Sequence, residues 1–403
     1  GVAAPQRLRS DAALLGGSRR CLGSPCRGAA CFAGDRSLGW RTWRPPPLPP
    51  WLGEATFAIR AASSTSASKA VASASAIPKD RTRNFGIIAH VDHGKSTLCD
   101  KLLKACGVIP KDAREQYLDG LEVERTRGIT VKAQTCSMLY RSRRDGEEYL
   151  LNLIDTPGHV DFSYEVSRSL NACQGAVLLV DAVQGIQAQT VSTFHQAFHA
   201  DLELVCALSK IDLENCRKDE VKSQLQGLCG VPKNEVLEVS GKTGAGVEEL
   251  CEAVITRIPA PPGDSEAPFK ALLFDAYYDN RRGVVLLLAV RDGELRTGTR
   301  IFCSFSARSF VAADVGLLYP NPQPLDRLRS GQICYVCVGA RDIRSFRVGE
   351  TIWAEGAQKN GEPFEGFRAA QPMVFAGVFP EAVGDGERLE NAMQRLLLTD
   401  ASV

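Results

Sequence analysis

Lys95 and Ser96 are the residues whose types and spacing most directly indicate chemistry. They follow Gly94 and lie between an apolar segment that predicts a buried strand, residues 84–88, and a stretch in which leucines recur at helical spacing. Backbone N–H groups and the helix dipole favour an anion at the start of such a helix. Lys95 can reach the β- and γ-phosphates of a nucleotide, and the Ser96 hydroxyl can bind Mg²⁺.

The predicted phosphate-binding loop matches the P-loop pattern except at its first position. Ala89 stands where that pattern has glycine, so this loop alone is an incomplete signal. Further motifs in a fixed order along the chain support it. The predicted loop consists of Ala89, His90, Val91, Asp92, His93, Gly94, Lys95, Ser96 and Thr97.

A second motif follows a predicted strand at residues 149–154. It reads Asp155, Thr156, Pro157, Gly158 and His159. Ligands of open α/β sheets bind at the carboxyl ends of the strands. Asp155 can therefore hold a water of Mg²⁺, the Gly158 N–H can meet the γ-phosphate, and His159 can position the attacking water.

The polar stretch at residues 119–130 allows two interpretations. Its composition fits a solvated loop. Its Arg-Gly-Ile-Thr ending fits a switch loop, in which the Thr130 hydroxyl closes on Mg²⁺ when a γ-phosphate is present.

Two later motifs can recognise the base. Asp212 can accept two parallel hydrogen bonds from the N1–H and exocyclic amine of guanine, which adenine cannot offer. Lys210 can lay its stem over the ring, and the second motif can offer a backbone N–H to guanine O6. The two motifs consist of Ser209, Lys210, Ile211, Asp212, Ser240, Gly241 and Lys242.

The elements that must position these motifs follow from the hydrophobic pattern. Strand and helix patterns alternate over residues 83–258, which predicts a mostly parallel sheet with helices on both faces. The proline-rich residues 259–263 predict a linker. Short strands with turn signals over residues 269–352 predict an all-β domain. Residues 372–380 then predict a strand, and residues 387–398 predict a helix.

The first 79 residues differ in composition from the rest. They carry eleven Lys and Arg against three Asp and Glu, while the remainder carries 37 against 44. Their richness in Arg, Ser, Ala and Pro is typical of a mitochondrial presequence, and the alternative is a basic tail without a targeting role. We predict a mitochondrial presequence and disordered linker over residues 1–79, with Pro45–Pro50 extended.

The fourteen cysteines do not predict a disulfide scaffold, because most stand singly in predicted strands or helices. Cys334 and Cys337 have CxxC spacing, but they lie in an alternating strand-like run without a second pair or a nearby histidine. We interpret them as packing residues rather than zinc ligands. No apolar run in the sequence reaches the ~20 residues needed to span a bilayer.

Taken together, the five motifs resemble those of translational GTPases such as elongation factors Tu and G. Within that group the chain is most similar to the LepA family, also called elongation factor 4 or back-translocase, in its mitochondrial form. The resemblance rests on the phosphate-binding loop and on three further segments. These are residues 124–134, which end in Val-Lys-Ala-Gln, residues 279–285 and residues 372–380.

The resemblance implies a fold and a domain division. It implies an α/β P-loop GTPase domain, followed by an all-β barrel domain II and the start of an α+β ferredoxin-like domain III. The predicted boundaries are residues 80–262, 263–364 and 365–403.

The resemblance also assigns roles in the site. It favours the switch-loop interpretation of the polar stretch, and it implies that His159 is catalytic and that Val91 and Ile129 form a hydrophobic gate around it. The predicted metal ligands are Ser96, Thr130 and, through water, Asp155.

The family implies a ribosome-dependent GTPase of mitochondrial protein synthesis, with GTP as substrate and Mg²⁺ as cofactor. Members are credited with promoting one-codon backward translocation of tRNAs on improperly translocated ribosomes. We therefore expect a monomer in the mitochondrial matrix that contacts the rRNA and proteins of the mitochondrial ribosome, and tRNA indirectly. The resemblance also implies peripheral association with the matrix side of the inner membrane.

Two departures from the family pattern qualify these expectations. Ser209 replaces Asn, and a shorter hydroxyl can keep one contact and lose another, at a cost of ~1 kcal/mol. Gly241 replaces Ala, which a backbone contact tolerates. One alternative is a truncated GTP-binding module without productive back-translocation. The other is a different P-loop enzyme, such as an ATP-using transferase, against which Asp212 argues.

Overall fold

A computed structural model describes residues 71–113, 116–118, 124, 126, 130–159, 162–357, 361–364, 375–382 and 384–399 of the chain. Several predicted features lie outside the described residues. These are the presequence before residue 71, most of the switch loop, Ile129 of the gate, and residues 365–374 and 400–403 of the predicted domain III.

The first sheet of the described chain has six strands. They are β1 (Thr82–Ala89), β2 (Gln134–Arg141), β3 (Glu148–Asp155), β4 (Gly175–Asp181), β5 (Glu203–Ser209) and β6 (Leu237–Glu238). Their order is β2-β3-β1-β4-β5-β6, with β2 antiparallel to β3 and the other neighbours parallel. The prediction of a mostly parallel sheet is confirmed.

Local sequence explains these strands. β4 is buried at every position, as expected for an apolar strand covered on both faces. The turn between β2 and β3 contains Gly146 at φ 74°, and the Ser142 N–H donates to the Glu147 carbonyl across it. This is the hairpin that the Asp-Gly pair predicted.

Helices cover both faces of the sheet. Those of the described chain are α1 (Lys95–Ala105), α2 (Ser163–Leu170), α3 (Ala188–His199), α4 (Lys218–Cys229) and α5 (Val247–Arg257). Leu102 of α1 and Val254 of α5 share one apolar cluster, whereas Val166 of α2, Phe194 of α3 and Leu225 of α4 share the cluster of the other face. The predicted motifs follow β1, β3, β5 and β6, at the carboxyl ends of the parallel strands.

Residues 270–354 form a β domain of ten strands. They are β7 (Lys270–Asp279), β8 (Gly283–Asp292), β9 (Glu294–Arg296), β10 (Arg300–Cys303), β11 (Arg308–Val311), β12 (Asp314–Tyr319), β13 (Asn321–Leu325), β14 (Arg327–Arg329), β15 (Ile333–Cys337) and β16 (Thr351–Ala354). Eight of them form an antiparallel sheet of order β11-β10-β16-β7-β8-β15-β12-β13, and β9 pairs with β14. The prediction of an α/β domain followed by an all-β domain is confirmed.

The chain before β1 differs from the predicted linker. Residues 71–76 are helical, and Val71, Ala74 and Ile77 are buried in the apolar cluster of the β domain. Lys79 donates to the Gly263 carbonyl. The prediction of a disordered linker up to residue 79 is therefore wrong for its last nine residues, because their apolar side chains recur at helical spacing and find a packing partner in the β domain.

The chain after the β domain matches the prediction in part. The predicted helix is present as α6 (Gly386–Thr399). Residues 375–380 of the predicted strand are not in a strand, and Phe375 and Phe379 are 86% and 85% exposed. A strand needs a hydrogen-bonded neighbour, and the strand pairing among the described residues gives these six none.

Two further observations concern the described residues as a whole. None of their helices combines the length and the apolar character required of a membrane span. Their cysteines are free thiols, and Cys334 and Cys337 are both buried in β15.

Candidate functional site

The loop between β1 and α1 leads directly into the start of the helix. Gly94 has φ 86° at the N-cap of α1, and Asp92 has φ 64°. Both lie in the left-handed region, which glycine adopts without strain. The Leu98 N–H donates to the Gly94 carbonyl at 3.0 Å, and the His93 N–H donates to the His90 carbonyl at 3.2 Å. The first-turn N–H groups of α1 therefore lie beside this loop, where an anion is favoured.

A cavity of about 210 Å³ lies against the loop. Five separate parts of the sequence enclose it, and four of them belong to the predicted motifs, so the fold brings those motifs together. The lining residues are His90, Val91, Asp92, Gly94, Lys95, Ser96, Thr97, Gln116, Thr130, Gly158, His159 and Lys210. Gln116 alone among them was not predicted as a site residue.

Lys95 is the centre of a buried polar cluster beside the cavity. Its Nζ donates to Asp155 Oδ1 at 2.6 Å and to Thr130 Oγ1 at 3.1 Å. Thr130 Oγ1 lies 3.2 Å from Ser96 Oγ. The Lys95 side chain is 7% exposed and that of Asp155 is fully buried, so the pair is held in a medium of low dielectric constant.

The oxygen atoms of this cluster suit Mg²⁺. Asp155 Oδ2 is buried and has no hydrogen-bond partner among the described residues. Buried carboxylate oxygens nearly always have a partner. Asp155 shares the Lys95 ammonium group with Thr130, whose hydroxyl lies 3.2 Å from that of Ser96. Carboxylate, hydroxyl and water oxygens are the ligands that Mg²⁺ prefers. The residues present therefore fit the ion.

The loop after β3 contacts the phosphate-binding loop. A Cβ atom at Gly158 would lie 3.3 Å from the Ala89 carbonyl oxygen, so a larger residue would push the loops apart. Thr156 is buried and its hydroxyl donates to the Ile87 carbonyl at 2.8 Å. His159 lines the cavity. Thr156 thus holds the loop against β1, and His159 stands at the cavity wall.

Ser209 connects β5 to the phosphate-binding loop. Its buried hydroxyl donates to the His93 carbonyl at 2.6 Å. The His93 ring is also buried, and its Nδ1 accepts the Asp181 N–H at 3.3 Å. Burial and the neighbouring His90 ring lower the pKa of His93 to about 4. This histidine is therefore neutral and structural at neutral pH.

Asp212 and Ser240 meet on the predicted base-binding side. The Ser240 hydroxyl donates to Asp212 Oδ1 at 2.7 Å, and this hydrogen bond lowers the pKa of Asp212. Lys210 has φ 57°, and its Nζ lies 2.9 Å from Asp181 Oδ2. The Asp212 carboxylate is thus kept ionised and held in place as a hydrogen-bond acceptor.

The remaining predicted residues stand around the cavity rather than in its wall. Gly241 packs on α1, where an added Cβ atom would lie 3.2 Å from the Leu98 N and Thr97 Cβ atoms. An alanine there would require a small shift of the loop. The predicted residues that do not line the cavity are Ala89, His93, Asp155, Thr156, Pro157, Ser209, Ile211, Asp212, Ser240, Gly241 and Lys242.

Three residues that support the site were not predicted. The buried Glu124 carboxylate accepts the N–H groups of Val131 and Lys132 at 3.0 and 3.1 Å and so fixes the end of the switch loop. Asp100 of α1 accepts the Gln116 N–H at 2.5 Å. Gln189 of α3 accepts the Val91 N–H at 3.3 Å. A supporting polar residue of this kind leaves no local pattern in the sequence.

Comparison with known proteins shows that the chain is similar to translation factors. Residues 80–260 match the family model described as "Elongation factor Tu GTP binding domain". A translation factor GUF1 homolog, mitochondrial, of Trichoplax adhaerens is 48% identical over 338 residues, 84% of this chain and 51% of that protein. Elongation factor 4 of Clostridium novyi (strain NT) is 46% identical over 326 residues, 81% of this chain and 54% of that protein. The chain thus spans about half the length of the curated relatives it matches.

Solved structures agree at the level of the fold. A protein of Thermus thermophilus matches with a TM-score of 0.63 and 19% identity, covering 79% of this chain and 61% of that chain. The bacterial selenocysteine-specific elongation factor EF-Sec matches with a TM-score of 0.54 and 21% identity, covering 68% of this chain and 44% of that chain.

Proposed function

Because the chain belongs to the LepA, or elongation factor 4, family of translational GTPases, we propose that it binds GTP with Mg²⁺ and hydrolyses the γ-phosphate on the mitochondrial ribosome. The main support for the proposal is one observation about the site. Lys95, Ser96, Thr130 and Asp155 converge beside a cavity that His159 also lines, although they come from separate segments of the sequence.

The roles we propose for these residues follow from their contacts. Lys95 neutralises the β- and γ-phosphates, and the N–H groups at the start of α1 and at Gly158 bind their oxygens. Bound Mg²⁺ would be held by Ser96, Thr130 and, through water, Asp155, and would neutralise charge that develops on the phosphates. Catalysis by such a site is largely positioning and charge stabilisation.

His159 is the residue we propose to orient the attacking water. It stands in the cavity wall directly after Gly158, beside the place where the γ-phosphate would lie. Val91 lines the same cavity, and we propose that with Ile129 it restrains His159 until the ribosome orders the site. Asp212 then selects guanine, with Ser240 holding its carboxylate in place.

We further propose the domain division and the cellular setting implied by the family. Residues 80–262 are the nucleotide domain, residues 263–364 the β-barrel domain II, and residues 365–403 the start of domain III. The partners are the rRNA and proteins of the mitochondrial ribosome, with one-codon backward movement of tRNAs as the outcome of the cycle. The location is the matrix, with peripheral association at the inner membrane, and the Arg-rich chain before residue 71 would be its targeting segment.

A hydrolysis assay tests the proposal. We expect purified mitochondrial ribosomes to stimulate GTP hydrolysis by the full chain, and His159→Ala to reduce that stimulation by about 10²-fold or more, the worth of one positioned catalytic group. His195→Ala, on the exposed side of α3, is the matched control and should leave the rate unchanged. Nucleotide binding without any ribosomal stimulation would favour a GTP-binding module over a productive factor.

A further inference from the structure

Asp275 of the β domain is a buried carboxylate at the contact between the two domains. It is 5% exposed and lies where the ladder between β7 and β8 shifts register. Such irregularities redirect a side chain out of the regular alternation of a strand. Here Asp275 contacts two segments of the nucleotide domain, namely α2, which follows the Asp155 motif, and Lys132, which follows Thr130 by two residues.

The contact with α2 is tight and enclosed. Arg168 is 2% exposed, and its Nη2 lies 2.9 Å from Asp275 Oδ1. Its Nε donates to the Phe274 carbonyl at 3.3 Å, and its Nη1 lies 3.3 Å from Glu165 Oε1. All three guanidinium nitrogens of Arg168 therefore have partners. The ion pair between Arg168 and Asp275 fixes α2 to β7.

The contact of Asp275 with Lys132, which follows the switch loop, is looser than the contact with Arg168. Lys132 Nζ lies 4.0 Å from Asp275 Oδ2 and 5.5 Å from the Tyr277 ring centroid, and its side chain is 22% exposed. Asp275 Oδ2 has no hydrogen-bond partner among the described residues. A cavity of about 300 Å³ adjoins both side chains, so Lys132 has room to withdraw without displacing packed groups. The Lys132 N–H donates to the Glu124 carboxylate at 3.1 Å, which ties the backbone of Lys132 to that of the switch loop.

We propose that Asp275 is a positioning residue that couples the state of the nucleotide to the docking of the β domain. Glu165, Arg168, Asp275 and Lys132 form a cluster of two anions and two cations. Withdrawal of Lys132 leaves a buried negative charge uncompensated, which is costly. The switch-loop position with Thr130 beside Ser96 therefore favours the docked β domain, and docking favours that position in return.

This inference rests on the proposed function, because it requires that the γ-phosphate set the position of Thr130. It predicts that Asp275 and Lys132, neither of which lines the nucleotide cavity, affect discrimination between GTP and GDP. We would measure the affinities of the full chain for GDP and for a GTP analogue with an imido β–γ bridge. Lys132→Met and Asp275→Asn should each lower the preference for the analogue by about fivefold or more.

The double variant, Lys132→Met with Asp275→Asn, tests whether Lys132 acts through Asp275. If Lys132 acts through Asp275, combining the two changes should reduce the preference no further than one change does. Asp279→Asn is the matched control at the end of the same strand, and it should leave the preference unchanged. Lys132→Met keeps the test valid if loss of the Arg168 partner prevents Asp275→Asn from folding, which thermal unfolding would reveal.

Two results would overturn the inference. An unchanged preference in Lys132→Met, with normal binding of both nucleotides, would exclude the coupling while leaving the proposed function intact. Failure of the unsubstituted protein to bind either nucleotide would instead remove the proposed function and the coupling together.

Discussion

At the scale of single residues, the base preference is expected to depend on Asp212. The Ser240 hydroxyl holds its carboxylate, and only a carboxylate accepts both guanine donors. Asp212→Asn should weaken GTP binding by about 10- to 100-fold, the worth of a hydrogen bond to a charged group, and shift preference toward xanthosine triphosphate. Competition between labelled and unlabelled nucleotides measures the affinities for GTP and xanthosine triphosphate. Asp219→Asn on the exposed face of α4 is the control, and an unchanged preference in Asp212→Asn would refute the assignment.

His93 predicts a dependence of stability on pH. Its pKa is lowered from 6.5 to about 4 in the folded protein, so the unfolded chain binds the proton more readily. Its contribution to the free energy of unfolding is therefore constant above about pH 7 and is lost as the pH falls toward about 4. Between about pH 7.5 and pH 5 the loss should be about 2 kcal/mol.

Urea unfolding of His93→Gln at these two pH values isolates that contribution. The glutamine oxygen can still accept the Asp181 N–H, so the variant should fold, and it should lose less stability than the unsubstituted protein on acidification. His195→Gln, at an exposed position, should keep the full pH dependence. If His93→Gln and the unsubstituted protein lost equal stability between the two pH values, the pKa of His93 would be the same in the folded and unfolded protein.

At the scale of elements, the loop that carries Ser240 depends on Gly246 at the start of α5. Gly246 has φ 74°, and an added Cβ atom would lie 1.9 Å from the Glu238 carbonyl oxygen. Gly246→Ala should therefore displace β6 from α5 and lower both the melting temperature and the affinity for guanine nucleotides. Gly244→Ala is the matched control, because Gly244 also has positive φ but its Cβ would meet nothing within 4 Å.

The control change should cost only the left-handed backbone strain, about 1 to 2 kcal/mol, and Gly246→Ala should cost clearly more. Thermal unfolding with and without nucleotide provides the comparison. Equal melting temperatures for the two variants would mean that the loop can shift away from β6 at little cost.

The elements were predictable from the sequence because their signals are local. The apolar runs of β1 and β4, the leucine spacing of α1 and the Asp145-Gly146 turn each specify one element within a few residues. Contacts that join distant elements were not predictable. Glu124, Asp275 and Gln189 act on segments whose proximity depends on the order of the strands and on domain docking, which no short pattern contains.

At the scale of the whole molecule, the segment before β1 is expected to stabilise the contact between the domains. Ala74 is fully buried in an apolar cluster that includes Phe269 and Leu295 of the β domain region. Ala74→Asp should place an unpaired charge in that cluster and lower stability by about 2 kcal/mol or more. Ala72→Asp, two residues earlier and exposed, is the same chemical change and should have almost no effect.

Thermal unfolding of the two Ala→Asp variants checks this prediction. A lower melting temperature for Ala74→Asp alone would place the start of the packed chain at or before residue 74. Identical melting temperatures would mean that the segment contributes nothing to stability and that packing begins at β1.

The direct pair between Lys95 and Asp155 has a consequence for ligand entry. Each group is the counter-ion of the other at 2.6 Å. A triphosphate that took over the ammonium group would leave the carboxylate without a counter-ion, and a divalent ion bound with the triphosphate would replace it. On the proposed function, nucleotide binding would thus exchange one counter-ion for another, and sequestering the divalent ion would weaken phosphate binding by more than the loss of the ion's own bonds.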